Sequence, residues 1–252
     1  MAVGQRGAEP GTTVAEVSER RPPLDYYLLL APPGDLDPTA AVEGIVVEEF
    51  ARHHDLSASG LDSAGWTPSG DGWWSSASFS RGFRTDPAML ARIVPASRGA
   101  AESAYRQLGG GRLPGEAALR TFFHDHQPFP NVPPLRLGPA QPPAGFHERR
   151  VYRVLFAKDL RDEQVASLGA LWQTTVDDTA PPPGSVAAGS LDRDGDRFAW
   201  CVRRVGRGLA WSLDLTVLLR TDASATVGSV LYDLTNVMRH HGLVPVTTER
   251  FS

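Results

Sequence analysis

The chain has 252 residues, and 41% of them are hydrophobic, which is enough for a buried core and too many for a disordered chain. Its formal net charge of −4 provides no overall positive field that would favour nucleic acid as a partner. A single cysteine excludes a disulfide within the chain, and no Cys/His set has zinc spacing. The first 20 residues lack the apolar core of a signal peptide, and no apolar run could span a bilayer. We therefore expect a cytoplasmic protein that binds neither membranes nor nucleic acid.

The chain begins with a polar stretch, residues 1–22, which we interpret as a flexible lead-in. Residues 25–31 form a β-type apolar run that is stopped by two prolines and a glycine. Asp37 and Pro38 have the pattern of a helix start, which predicts a helix that reaches about His54.

The segment 72–84 is predicted to be a strand of unusual character. One of its faces would carry Trp74, Ser76, Ser78 and Ser80. A row of serines builds a poor core, but it suits a surface that hydrogen-bonds an extended peptide or another substrate. A solvent-facing sheet surface is the alternative interpretation.

Helical patterns follow in residues 86–94, 101–108 and 114–126, the first beginning with an Asp-Pro pair. The last of them ends in His-Asp-His, which could bind a metal, act in acid/base chemistry or be purely structural. Residues 127–146 are rich in proline, and we interpret them as a connector between an N-terminal half, 23–126, and a C-terminal half, 147–252.

The C-terminal half begins with a predicted strand at 148–156 and a helix at 161–172. Asp192 to Asp196 form a turn, and strands at 197–205 and 209–219 are joined by a hairpin at 206–208. The whole pattern predicts an α+β fold of two ferredoxin-like halves, each a mostly antiparallel sheet with helices on one face.

The clearest helix lies near the C-terminus, with possible caps at Thr221, Asp222 or Ser224 and a left-handed stop at Gly242. A strand with an edge-type proline, Pro245, follows it. Its apolar positions recur at helical spacing and form one stripe: Val227, Val230, Leu231, Leu234, Val237 and Met238.

The opposite side of this helix carries Tyr232, Asn236 and Arg239 in line, with Gly228 one turn earlier. A glycine in a helix interior lets a substrate or a neighbouring chain come close. A solvated face with an incidental glycine is the other interpretation.

The sequence contains none of the usual phosphate-binding, dinucleotide-binding, serine-hydrolase or zinc-protease motifs. Catalysis would therefore depend on hydroxyl, imidazole, carboxylate and guanidinium groups. Several arginines lie on the predicted strands of the second half: Arg149, Arg150, Arg153, Arg203 and Arg204. They could form a single basic patch that binds an acidic peptide, or they could be ordinary surface residues.

The closing run Leu-Tyr-Asp-Leu-Thr-Asn-Val-Met-Arg-His-His-Gly, from residue 231, resembles the C-terminal end of thiopeptide pyridine synthases. These enzymes are related to the glutamate-elimination domain of class I lantibiotic dehydratases. The likeness is strongest over residues 197–252. The likeness is weaker over residues 22–84. In this range two tryptophans and two arginines occupy the positions at which the eliminases have an aromatic strand with paired arginines.

The resemblance implies a formal aza-Diels–Alder reaction between two dehydroalanines of an azole-bearing precursor peptide. Loss of water and of the leader peptide then leaves a pyridine within a macrocycle. The family uses neither a metal nor a nucleotide cofactor, and its leader peptides tend to be acidic. The partner would be this leader-bearing precursor peptide, and the enzyme is a possible homodimer.

The resemblance also suggests roles for particular side chains. Tyr232 would be the acid/base group, because a neighbouring guanidinium favours the phenolate. Asn236 and Arg239 would orient a carbonyl. Further hydrogen bonds and contacts with the substrate would come from Ser78, Ser80, Arg81, Arg84, Trp74 and Asp233, and the five strand arginines would bind the leader.

Two other functions remain open. The first is a stand-alone lyase that removes glutamate from glutamylated serine or threonine. The eliminases have a histidine on the last helix where this chain has Tyr232 and Asp233, which favours cyclisation. The second is a non-catalytic scaffold that binds peptides within a biosynthetic complex.

Overall fold

The structure is a computed structural model that describes residues 21–32, 41–130, 139, 141–172, 182–206, 210–221 and 225–251. Most of the expected lead-in, 1–22, lies outside the described residues. So do the helix start at Asp37 and Pro38, the caps Asp222 and Ser224, the hairpin positions 207 and 208, and much of the connector.

The first half is built on a sheet whose first four strands form an antiparallel meander. A short fifth strand pairs with the other side of the first strand, and a sixth pairs with the third. The strands are β1 Asp25–Leu30, β2 Val42–Arg52, β3 Ala58–Trp66, β4 Trp74–Ser75, β5 Ile93–Ala96 and β6 Gln127–Pro128. The helices are α1 Ala77–Phe83, α2 Pro87–Arg92, α3 Arg98–Gln107 and α4 Glu116–Arg120.

The second half has a five-stranded antiparallel sheet in the order β11-β7-β10-β9-β8, with two helices packed on one face. Its elements are β7 Glu148–Ala157, α5 Asp162–Leu171, β8 Ser185–Arg193, β9 Asp196–Val205, β10 Ala210–Leu219, α6 Ala225–His240 and β11 Val244–Phe251. Without β8, this is the strand order of a ferredoxin-like unit. The predicted α+β class with two mostly antiparallel sheets is confirmed.

Strand β8 is an element that the sequence pattern did not predict. It pairs with β9 through a tight turn in which Asp194 and Gly195 have φ angles of 55° and 86°. Two consecutive left-handed residues are typical of a hairpin turn that matches the twist of its strands. The turn predicted at 192–196 is therefore confirmed, and it joins one more strand than expected.

The predicted helix up to His54 is wrong, because residues 42–52 form β2. Ile45, Val46 and Val47 are all buried, at 1%, 1% and 0% exposure. Ile45 and Val47 pack with α3, while Val46 faces a second apolar cluster on the other side of the sheet. A strand that is covered on both faces loses the alternation by which strands are recognised.

The predicted serine-bearing strand at 72–84 is also wrong, because only Trp74 and Ser75 are in a strand and α1 follows. The N-terminus of α1 is capped from far along the chain. The Asp125 carboxylate accepts hydrogen bonds from the Ser78 backbone N–H at 3.2 Å and from its hydroxyl at 2.6 Å. A cap supplied by a distant residue leaves no local signal in the sequence.

The two halves pack against each other along β11 and the β2–β3 hairpin. Val244 of β11 joins an apolar cluster with Tyr27 and Phe83 of the first half. In the opposite direction, Leu56 at the hairpin tip packs on the core of the second half.

Candidate functional site

Helix α6 follows the sequence prediction closely on its apolar side. The stripe is buried in the second core, with Val237 partly buried. The helix ends at His240, and two residues later Gly242 has a φ angle of 89°, the left-handed conformation expected at this stop.

Arg239, on the other side of α6, contacts the first half. Its side chain is 7% exposed and forms an ion pair with Asp25 of β1 at 2.9 Å. It donates hydrogen bonds of 3.0 Å to the Asn236 side-chain oxygen and to the Tyr26 backbone oxygen. The alternative interpretation of a solvated face is therefore wrong at Arg239, because β1 packs there.

Burial strongly affects the charges in this contact. It raises the pKa of Asp25, although the Arg239 guanidinium opposes the rise. For Arg239, burial works to lower the pKa, and the neighbouring Tyr27 and Asp25 more than offset it, so that the pKa is raised. Arg239 thus keeps its positive charge between the two halves.

Tyr232 lies one turn of α6 before Asn236 and is half-buried. Burial raises the pKa of its phenol, and the Asn236 side chain and the Arg239 charge only partly counter this. The Arg239 guanidinium does favour the phenolate, as expected, but burial outweighs it and the net pKa is raised. The phenol therefore keeps its proton at neutral pH, and the raised pKa makes it a weaker acid than an ordinary tyrosine. Its catalytic role stays a prediction.

The neighbour that comes close to Gly228 is part of the protein itself. A Cβ placed on this glycine would lie 3.8 Å from the Leu56 side chain, an ordinary contact distance. Asp233 is exposed on α6. Trp74 is 39% exposed, and its ring covers Gly65 so closely that a Cβ there would be 2.6 Å away.

The two serines that were predicted to act together lie in different surroundings. Ser78 is exposed, donates to Asp125 and accepts a hydrogen bond of 3.0 Å from Gln127. Ser80 is 0% exposed and shares a 2.7 Å hydrogen bond with the Ser63 hydroxyl. The expectation that Ser80 contacts a substrate is therefore wrong, because two residues on a helix point in different directions and this one points inward.

A cavity of about 720 Å³ lies between the two halves. Its walls are the β2–β3 hairpin, the end of α1 and the closing strand β11. The lining residues include His53, His54, Arg81, Arg84, Phe129 and the stretch 246–251. Tyr232, Asn236 and Arg239 do not line it. Sequence reasoning missed this cavity, because its lining comes from segments that are far apart in the chain.

Arg81 and Arg84 were both predicted to bind substrate, and they differ sharply. Arg84 is buried and donates to both oxygens of the Glu48 carboxylate, at 2.9 and 2.6 Å. It also donates to the backbone oxygens of Ser80 and Pro245. Arg81 is exposed and donates to the Pro128 backbone oxygen at 3.3 Å. Within the described part of the chain, Arg81 has no carboxylate partner.

The five strand arginines do not form one patch, and that expectation is wrong. Arg153 and Arg203 both bind Asp214, at 2.6 and 2.9 Å, on the sheet face without helices. Arg149 shares that face through strand alternation, and burial lowers its pKa.

The other two strand arginines lie on the helix-covered face. Arg150 is paired there with Glu148 at 2.6 Å, and Arg204 is paired with Asp159. Residues that alternate along a strand point to opposite faces, so their proximity in sequence is misleading.

The His-Asp-His triplet has structural partners. Its aspartate caps α1, and His126 contacts the Asp62 carboxylate at 2.9 Å. In the described ranges no group of three or more His, Cys, Asp or Glu side chains could hold a metal ion. No helix in the described part of the chain is both long and apolar enough to cross a membrane.

No family model matches the chain, and comparisons with curated proteins and with solved structures find no similar one.

Proposed function

We propose that the protein is a peptide-modifying cyclase of the pyridine synthase kind. The observation that supports this most is the junction of α6 with β1. The segment with the family resemblance carries a protonated phenol, Tyr232, on the same side as a buried guanidinium–carboxylate pair, Arg239 and Asp25. The alternative of a solvated helix face does not account for a charged pair buried there.

In the proposed reaction, the amide of one dehydroalanine becomes its iminol tautomer and supplies the four-atom azadiene. The second dehydroalanine supplies the two-carbon partner, and two new bonds close a six-membered ring. The ring hydroxyl then leaves as water, and the leader leaves as a carboxamide once its nitrogen is protonated. Tyr232 is the proposed proton donor in both departures.

Positioning is expected to supply much of the rate. Holding two reacting groups in register contributes up to ~7–11 kcal/mol in ideal cases. No metal or nucleotide takes part in the proposed reaction. The proposed partner is the leader-bearing precursor peptide, and the proposed compartment is the cytoplasm.

The function is tested by incubating the protein with three peptides and measuring their masses. The first peptide carries a leader, azoles and two dehydroalanines, the second carries glutamylated serine, and the third is unmodified. Loss of water with release of the leader carboxamide from the first peptide supports the cyclase. Loss of glutamate from the second identifies an eliminase, and tight binding without any mass change identifies a scaffold.

The role of Tyr232 is tested in the same reaction. We expect Tyr232→Phe to slow turnover by about 10²-fold or more, because a general acid typically contributes about that much. The matched control is His240→Gln, at an exposed position on the same helix. Turnover of Tyr232→Phe within about threefold of wild type would contradict a proton-donor role.

A further inference from the structure

Strand β11 forms one edge of the second sheet, and among the described residues its only strand partner is β7. Such an edge presents unpaired backbone N–H and C=O groups. At the start of β11, the Pro245 carbonyl accepts a hydrogen bond from Arg84. Beyond a register shift after Pro245, residues 246–251 line the cavity. The edge that faces the cavity is therefore available along about six residues.

The charges around the cavity are uneven. Arg153 and Arg250 are neutralised by Asp214 and Glu148, at 2.6 and 2.7 Å. Among the described residues, the polar and ring contacts of Arg81, on the opposite wall, are with the Pro128 backbone oxygen and with the ring of Phe129, which lies 5.8 Å from its guanidinium carbon. An occupant with a negative group would therefore gain most at the Arg81 end.

The acidic residues of the lining belong to other segments. Asp55 lies in the hairpin and bonds the Ser57 hydroxyl at 2.6 Å, while Glu249 lies on β11 itself and is exposed. These two carboxylates disfavour an occupant that is negative along its whole length. The lining therefore selects an extended chain with an acidic side chain placed at Arg81.

We propose that this cavity binds an extended, acidic segment of a peptide, which adds a strand to the free edge of β11 and sets a carboxylate against Arg81. Strand addition uses the backbone for affinity and side-chain contacts for selectivity. Six residues at strand spacing correspond to a segment of about 20 Å. The identification of this segment with the leader of the precursor rests on the proposed function, whereas the binding mode can be tested without turnover.

The binding mode is tested by fluorescence anisotropy at low salt with a fluorescein-labelled ten-residue peptide of alternating Gln and Val in which one central Gln is replaced by Glu, called the Glu-Val peptide. Two analogues are N-methylated, one at every Gln and Glu and the other at every Val. These two patterns block opposite edges of the same strand. We expect one pattern to weaken binding at least tenfold and the other to leave it nearly unchanged. Equal effects of the two patterns would overturn strand addition.

The role of Arg81 is tested with a Gln-Val version of the same peptide. Wild type is expected to prefer the Glu-Val peptide by about fivefold, the upper range for an exposed ion pair. Arg81→Gln should remove this preference, whereas Arg112→Gln, at an exposed site outside the cavity lining, should keep it. An unchanged preference in Arg81→Gln would overturn the assignment. Failure of these binding tests together with normal conversion of the dehydroalanine peptide would leave the proposed function standing.

Discussion

Arg84 pairs with Glu48 inside the first half and also donates to the Pro245 backbone oxygen of the second half, and replacing Arg84 with methionine tests both contacts. The side chains of Arg84 and Glu48 are 4% and 0% exposed, and two hydrogen bonds join them. Arg84→Met leaves the Glu48 carboxylate buried without a partner and also removes the donor to the Pro245 backbone oxygen. Breaking a buried pair in this way typically costs ~3–5 kcal/mol.

This cost is a large part of the free energy of unfolding of an ordinary domain, which is about 5–15 kcal/mol. For a chain of this size it corresponds to a fall in Tm of roughly 6–20 °C, at about 2–4 °C per kcal/mol. The assay is urea unfolding followed by tryptophan fluorescence. Adding Glu48→Gln to Arg84→Met should recover part of the loss, because it removes the unpaired charge.

Arg106→Gln provides the matched control for this experiment. Its pair with Glu102 is exposed, with side chains 66% and 33% accessible, so its loss should cost less than about 0.5 kcal/mol. A cost below about 1 kcal/mol for Arg84→Met, similar to this control, would refute the reasoning.

Gly228→Ala should raise the free energy of unfolding in urea by up to ~1 kcal/mol, because alanine favours a helix interior over glycine and the new methyl group would meet Leu56 at an ordinary contact distance. A destabilised variant would show that there is too little room for the methyl group beside Leu56. Ser80→Ala should cost about 0.5–1.5 kcal/mol, because Ser63 loses one buried hydroxyl partner and keeps the other, Ser76, and a loss of peptide binding at unchanged stability would contradict this structural role. Hydrogen bonding to Arg150 holds the pKa of Glu148 below its ordinary value of about 4.5. Its stabilisation is therefore complete above that pH and is lost as the pH falls through the lower pKa of the folded protein. The difference in the free energy of unfolding between wild type and Glu148→Gln should therefore shrink in acid. A difference that grows as the pH falls would contradict a lowered pKa for Glu148.

The sequence identified elements where one face meets water and the other meets the core. Strand β10 alternates the partly exposed Asp214 and Thr216 with the fully buried Leu213, Leu215 and Val217, and it was predicted correctly. Strand β2 has apolar residues on both faces, so its pattern looked helical. Strand β8 is short of large apolar and aromatic side chains, which leaves little signal for a strand.

The candidate site was predictable only along α6 itself. The spacing of Tyr232 and Asn236 is local, whereas the partners of Arg239 lie in β1, at the other end of the sequence. The cavity depends in the same way on contacts between segments that are far apart in sequence. The strand arginines looked like one unpaired patch, because the sequence does not show which carboxylates pair with them. Those carboxylates come from neighbouring strands and loops.

The central claim is that the core of a peptide substrate is processed where α6 meets β1. It is tested most directly by photo-crosslinking with a precursor peptide that carries benzoylphenylalanine beside a dehydroalanine, followed by mapping of the attached residues by mass spectrometry. The account predicts attachment within residues 228–239 of α6 or 25–27 of β1. Attachment confined to the cavity lining at residues 81–85 and 246–251, which does not include Tyr232, Asn236 or Arg239, would contradict it.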